Sequence, residues 1–197
     1  MNVTLTAIIG DNSDLLPNVF SIYGKDKSKL IVADVTFGKG VFWRKINTNE
    51  FAKFLKSDLL TGTNFSNLPY ESNSIDVLVL DPPYMHGGKT VKKSINDCYQ
   101  NQNTSHESIV RSYTKGILES SRVLKRNGLI LIKCQDEIES AKQRLSHVEI
   151  LTLLDLFGFK INDIFILVQK SIPAMRNDYQ NSARKNHSYM IVAEFKK

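Results

Sequence analysis

"LVLDPPYMHGG", Leu78 to Gly88, decides how the rest of the chain is read. With Val77 it makes a run of apolar, mostly β-branched or leucine residues that ends on Asp81. Such a run predicts a strand buried on both faces. The strand cannot go on pairing past Asp81, because Pro82 and Pro83 each lack an N–H and fix φ. A core strand therefore stops on a carboxylate and is followed by a rigid, donor-poor turn and a tyrosine ring. In open α/β sheets ligands bind outside the carboxyl ends of the strands, so this stretch marks a central strand and a candidate site at once.

The flanking sequence repeats the pattern. Apolar runs predict strands at Leu30–Phe37, Phe51–Asp58, Ser74–Asp81, Leu129–Asp136, Ile161–Lys170 and Ser188–Phe195. Helical spacing of apolar residues predicts helices over Asp14–Tyr23, Glu107–Lys125 and His147–Phe157, with Asn127-Gly128 stopping the second as a C-cap and Gly158 the third. Strands alternating with helices give one α/β domain over residues 1–197. Its sheet is mostly parallel with helices on both faces, and its last two strands form an antiparallel edge hairpin. Two long polar stretches remain, His86–His106 and Ser171–His187, and loops of that length are commonly functional.

Composition narrows the classes. The chain has 197 residues, is 42% hydrophobic and 23% charged, and has no segment long enough to span a membrane. Its start lacks a basic leader-like region, so a cytoplasmic protein is expected, with Cys98 and Cys134 as reduced thiols. The four histidines show no HxxxH or HExxH spacing, so no metal site is expected. The net charge is +6, and nine Lys/Arg face three acids between Met85 and Lys133. A basic segment just after the odd turn favours a polyanionic partner, nucleic acid first.

Two stretches carry chemistry. In ADVTFGKGVFW, Ala33 to Trp43, Gly38 and Gly40 allow a tight turn and close approach of backbone to ligand. The third glycine of a dinucleotide fingerprint is missing, with Trp43 in its place, which argues against a pyrophosphate site. In Asp81-Pro82-Pro83-Tyr84 a carboxylate and a fixed backbone carbonyl stand together. Both could accept from the two N–H bonds of a nucleobase amine, drawing its nitrogen toward tetrahedral geometry and stabilising the charge that grows on it. The ring of Tyr84 could stack on the base.

These motifs resemble the amino-group methyltransferases that use S-adenosylmethionine and carry [DN]PP[YF] at the end of their fourth strand. The resemblance runs from about Asp14 to Phe195. The glycine motif precedes the catalytic one, as in the alpha and gamma groups of DNA methyltransferases. It implies a Rossmann-like methyltransferase domain with Asp81, Pro82, Pro83 and Tyr84 as catalytic residues. It implies S-adenosyl-L-methionine held by Asp34, Thr36, Phe37, Gly38 and Gly40, its ribose by Asp58 and its adenine by Asn64. The helix over Asp14–Tyr23 would close over the methionine end. Only about six residues separate Asp58 from Asn64, so the helix between them nearly vanishes and the third strand becomes a stub. No separate target-recognition domain fits the length. Substrate contacts would then come from the two polar stretches, through His86, Lys92, Lys93, Arg176, Arg184 and Lys185. The implied activity is methyl transfer to an exocyclic base amine, adenine N6 in DNA before other targets. An RNA methyltransferase acting on guanine N2 or adenine N6 and a non-catalytic nucleic-acid-binding subunit are the alternatives. A recognition subunit or a second copy of the chain are possible partners.

Overall fold

The computed structural model describes residues 3–24, 26–84, 105–170 and 182–196. In chain order the elements are β1 (Ala7–Gly10), α1 (Leu15–Tyr23), β2 (Ile31–Asp34), β3 (Lys53–Lys56), β4 (Ile75–Leu80), α2 (His106–Val123), β5 (Leu124–Cys134), β6 (Glu137–Glu139), β7 (Lys142–Arg144), α3 (Ser146–Leu156), β8 (Phe159–Gln169) and β9 (His187–Phe195). Seven strands form one sheet in the order β1-β8-β9-β5-β4-β2-β3, and β6 pairs with β7 in a small antiparallel ribbon. Within the large sheet β9 runs antiparallel to both neighbours, and every other pairing is parallel.

Alternation along β4 explains why this sheet is covered on both sides. Val77 and Val79 point to the side packed by α1, where Leu15, Leu16, Val19 and Phe20 meet Trp43 and Phe51. Leu78 and Leu80 point to the opposite side, against Ile109, Tyr113 and Ile117 of α2 and Ile150 and Leu154 of α3. A period of 2 in the strand distributes its apolar residues to both layers, and a period of 3.6 gives each helix one apolar stripe. Gly116 sits where α2 crosses β4: an added Cβ would lie 2.9 Å from a Leu80 methyl. Among the described residues no helix is long and apolar enough to cross a membrane.

Four expectations need correcting. Residues Ala7–Gly10 form a strand that sequence periodicity misses, because four half-exposed residues carry too little pattern; their backbone pairs with Ile166–Gln169 and lies outside the C-terminal hairpin. Asn127-Gly128 is not a helix cap. The helix α2 ends at Val123 and the chain enters β5 at once. Ile75 pairs with Leu124 while Val77 pairs with Leu129, so the extra residues bulge out of β5, with Asn127 at φ 61°. Asn-Gly tolerates that left-handed corner whether it closes a helix or a bulge, so the dipeptide alone cannot tell them apart. Between β2 and β3 the described chain makes only short 3₁₀ turns, at Val41–Trp43 and Thr48–Glu50, and between β3 and β4 it makes no strand.

The fourth correction concerns the basic segment. Arg122 is bound to Glu119 and to the carbonyls of Leu68 and Tyr70, and Lys125 pairs with Asp76. Both lie near the amino end of β4, across the sheet from the Asp81 turn. Lys133 is fully buried. Arg122 and Lys125 are therefore paired at the opposite end of the sheet and Lys133 is enclosed, so these three charges do not belong to one basic face.

Candidate active site

β2 and β4 lie side by side, with Ala33 opposite Leu78 and Asp34 opposite Val79. Beyond them the chain departs in opposite directions, from β2 outward to β3 and from β4 toward β5. A crevice opens at the carboxyl ends of two strands that part in this way, and it is where α/β sheets hold ligands. Both sequence motifs end there, and one hydroxyl joins them. Thr36 Oγ1 accepts from the backbone N–H of Asp81 at 2.7 Å and faces Asp34 Oδ1 at 3.4 Å.

On the β2 side the Asp34 carboxylate is buried, at 1% exposure, and fully used. Oδ1 accepts from the Thr36 N–H at 3.0 Å and Oδ2 from the Trp43 indole N–H at 2.6 Å. Burial pushes this carboxyl up to about 6, against the opposing pull of those hydrogen bonds. Its work is to fold the turn. The glycines complete it: Gly38 has φ 49° and Gly40 has φ 64°. An added Cβ on Gly40 would also fall 2.6 Å from the Phe37 ring, so this position excludes larger residues twice over. Phe37 packs edge-on against Phe54 and lies under Lys56 Nζ at 5.2 Å. Asp58 reaches the same turn from beyond β3, where its Oδ2 accepts from the Gly38 N–H at 3.1 Å. Its Oδ1 caps Thr61 N–H at 2.9 Å, so the turn-capping role and the place beside the glycines coexist. Asn64 is exposed, with its carbonyl accepting from the N–H and hydroxyl of Ser66.

On the β4 side the arrangement is opposite. Asp81 Oδ1 is enclosed and makes no hydrogen bond among the described residues. Burial pushes the Asp81 carboxyl up to about 7; the Lys133 charge pulls it down and the Asp34 charge adds to the rise. Pro82 is buried, and Pro83 and Tyr84 are half-buried. Lys133, on β5, is the residue sequence reasoning missed. Its Nζ is buried without a hydrogen-bond partner among the described residues and stands 5.0 Å over the Tyr84 ring. Burial lowers the affinity of this amine for its proton. The signal was present in LILIKC, since a lysine between Ile132 and Cys134 on a strand buried on both faces has no route to solvent. The hydroxyl of Tyr113 donates to the Lys133 carbonyl at 2.7 Å and ties α2 to this strand.

Further aromatic and charged groups gather at the same end of the sheet. Asp136 accepts from His147 Nδ1 at 2.7 Å, and the His147 ring stacks on Tyr189 at 4.3 Å. Gln135 Nε2 donates to the carbonyl of His187 at 2.8 Å and reaches that of Lys185 at 3.4 Å. This brings the backbone of half-buried Lys185, with Arg184 next to it in the chain, beside the end of β5. A concavity of about 640 Å³ opens between Asp11, Asn12 and Asp14 on one side and Val41, Arg44, Gln169 and Lys170 on the other. Asn12 Oδ1 is buried there without a hydrogen-bond partner among the described residues. His86, Lys92, Lys93 and Arg176 lie outside the described residues. No group of three or more His, Cys, Asp or Glu side chains among the described residues is arranged to hold a metal ion.

No protein-family model and no curated protein sequence matches this chain. Solved structures do match. The [4+2]-cyclase SpnF superposes with a TM-score of 0.56 at 15% identity, covering 95% of this chain and 85% of its own. A protein from Bacillus halodurans C-125, provisionally assigned as a methyltransferase, superposes with a TM-score of 0.54 at 11% identity over 93% of this chain and all of its own. The chain has a Rossmann-like methyltransferase fold. At such identities the likeness carries the fold alone, and the cyclase among its neighbours makes the point that activity is set by the site. A protein from Thermus thermophilus, provisionally assigned as a DNA modification methylase and crystallised with S-adenosyl-L-methionine, aligns over 85% of this chain with 12% identity and a TM-score of 0.46. This chain spans 56% of that protein's length.

Proposed function

We propose that the chain is a single-domain, cytoplasmic S-adenosylmethionine-dependent methyltransferase that acts on the exocyclic amine of a nucleobase, adenine N6 in DNA first. The observation that carries this reading is the enclosed Asp81 oxygen without a hydrogen-bond partner, joined through Thr36 to a glycine turn at the switch point of the sheet. A buried carboxylate oxygen left without a donor is costly, on the order of 1–3 kcal/mol, and a ligand N–H removes that cost.

The residues present fit the cofactor. The positive-φ turn at Gly38 and Gly40 leaves backbone open to a close ligand, and Asp58, already at that turn, would take ribose hydroxyls. The concavity beside Val41 offers Arg44 and Lys170 to a carboxylate and Asp11 to an ammonium, Asp14 being paired with Lys45, which suits the charged amino-acid end. S-adenosylmethionine supplies an electrophilic methyl group. The chain's own residues do the rest. Asp81 and the backbone carbonyl of the Pro-Pro turn accept from the two N–H bonds of the amine, orient its lone pair and stabilise its developing positive charge. Tyr84 gives the extruded base a stacking surface. Arg184 and Lys185 would meet backbone phosphates, as would His86, Lys92, Lys93 and Arg176.

The test is incubation with labelled S-adenosylmethionine and separate DNA and RNA pools, followed by identification of the labelled nucleoside. N6-methyladenine from DNA is the expected product. Label in RNA guanine or adenine would move the substrate to RNA. A folded, cofactor-binding protein that labels neither would end the catalytic reading in favour of a nucleic-acid-binding subunit.

A further inference from the structure

A second group of rings stands at the carboxyl end of the sheet, and the proposed function leaves it unused. His187 and Tyr189 lie two residues apart on one face of β9, and Tyr189 is paired with Cys134 at the end of β5. The Tyr189 ring stacks on the His147 ring at 4.3 Å and 26°, and the His187 ring meets it edge-on at 5.4 Å. Hydrogen bonds fix all three. Asp136, its side chain 4% exposed, accepts from His147 Nδ1 at 2.7 Å and from the Tyr189 hydroxyl at 3.4 Å, and that hydroxyl lies 3.1 Å from His187 Nε2. The neighbouring backbone is held as well: the carbonyls of Asn186 and His187 accept from the Gln169 N–H and from Gln135 Nε2, each at 2.8 Å. Half-buried Arg184 and Lys185 immediately precede this anchored segment. Yet the rings are not sealed in the core. His147 keeps 22% of its side chain exposed, and Tyr189 and His187 are half-buried. Fastening α3 to the sheet needs apolar area, which buried Ile150 and Leu154 supply; it does not need an enclosed carboxylate that orients half-exposed rings.

We propose that His147, Tyr189 and His187 form a stacking platform for a nucleobase next to the target in a single-stranded polynucleotide, with Arg184 and Lys185 meeting its phosphates. This inference rests on the proposed function for the direction of the strand. The sheet order sets β2 and its glycine turn on one side of β4, and β5 with β9 on the other. With the cofactor on the β2 side, the strand that carries a base held at Asp81 passes over the β5 side, where the rings stand. Histidine and tyrosine rings stack on any base, because every base has a π face, and basic side chains alongside follow the backbone. Rings already oriented by Asp136 lose little further freedom when a base joins them. The net charge of +6 suits the same polyanion.

The probes are a mixed-sequence single-stranded DNA and the same sequence as RNA, each with 5-iodouracil at its pyrimidine positions, added to the full chain without cofactor. By fluorescence anisotropy, His147→Ala and Tyr189→Ala should each weaken binding about 5- to 150-fold, the range for one lost base–aromatic stack. The slope of affinity against salt should stay as in wild type, since no phosphate contact is removed. Tyr189→Phe keeps the ring and should stay within about twofold. Arg184→Ala with Lys185→Ala should instead flatten the salt slope. Where an Ala variant does not fold, the wild-type chain still decides: irradiation should cross-link the strand to peptides that contain His147 or Tyr189. The tighter of the two strands identifies the sugar that the platform accepts. A wild-type chain that binds neither strand overturns this inference and the proposed function together. Binding that survives both Ala substitutions, with cross-links confined to other peptides, overturns the platform and leaves the proposed function standing. Binding lost in both variants of a chain that methylates nothing upholds the platform and sinks only the catalytic reading.

Discussion

Asp34 and Asp81 invite comparison. They stand at the carboxyl ends of neighbouring strands, Asp34 buried whole and Asp81 half-buried with its Oδ1 enclosed, and loss of water pushes both carboxyls up, to about 6 and about 7. Their partners differ completely. Asp34 gives one oxygen to the Thr36 N–H and the other to the Trp43 indole, whereas Asp81 keeps an enclosed oxygen with no hydrogen bond among the described residues. The first acid is consumed by its own turn. The second leads into a rigid Pro-Pro segment and is held by a threonine hydroxyl on its backbone N–H, with its enclosed oxygen making no hydrogen bond among the described residues. Burial and a raised carboxyl do not distinguish a structural acid from a functional one; hydrogen-bond satisfaction does.

Substitution of each acid should break the pair apart. Under the proposed function Asp81→Ala should fold, bind S-adenosylmethionine and lose about 10²–10³-fold in single-turnover methyl transfer, a loss typical of one group that stabilises growing charge. Near wild-type turnover in that variant would sink the amine-activation mechanism.

Next in size is a pH effect that needs no substrate. From its ordinary 3.8 the Asp81 carboxyl rises to about 7 on folding, so between those values the folded chain holds a proton that the unfolded chain has released. The group's contribution to stability is complete below about pH 4 and is lost as pH climbs through 7. Asp81→Asn stays neutral throughout. Its unfolding free energy should therefore gain on wild type across that window, by up to about 4 kcal/mol in total. A constant difference from pH 4 to pH 8 would show that the site is wetter than the structure has it.

Asp34→Ala should act on the fold. It strands the Trp43 indole N–H and the Thr36 N–H in a dry turn, at a cost of about 2–3 kcal/mol in urea denaturation, and weakens cofactor binding as the Gly38–Gly40 turn loosens. Unchanged stability would remove the contrast on which the comparison stands. At Tyr84 the effects are smaller. Tyr84→Ala should cost about 1–3 kcal/mol of substrate binding through lost stacking. Tyr84→Phe keeps the ring and should cost under about 0.5 kcal/mol in the same assay. A Phe variant as weak as the Ala variant would transfer the role from the ring to the hydroxyl.

The sequence by itself determined the layers and the two strand ends. Apolar runs such as Val77–Leu80, helices at 3.6-residue spacing, and the paired glycines and prolines are local signals, because side-chain period, the freedom of glycine at φ > 0 and the restriction of proline depend on neighbouring residues alone. The shortest strand, Ala7–Gly10, escaped because its partner lies at Ile166–Gln169 and its own four residues hold no period. Asn127-Gly128 predicts a helix cap and forms a strand bulge, because a left-handed corner looks the same after a helix as inside a strand. Only the tertiary structure decided which charges face outward and which are enclosed. Lys133 reads as one more base in a basic segment until β4 and α2 close over it, and Asp34 and Asp81 are equal acids until Trp43 folds back nine residues to satisfy one of them. Charge, burial and hydrogen-bond satisfaction are properties of what surrounds a group, and the surroundings here are assembled from strands far apart in the chain.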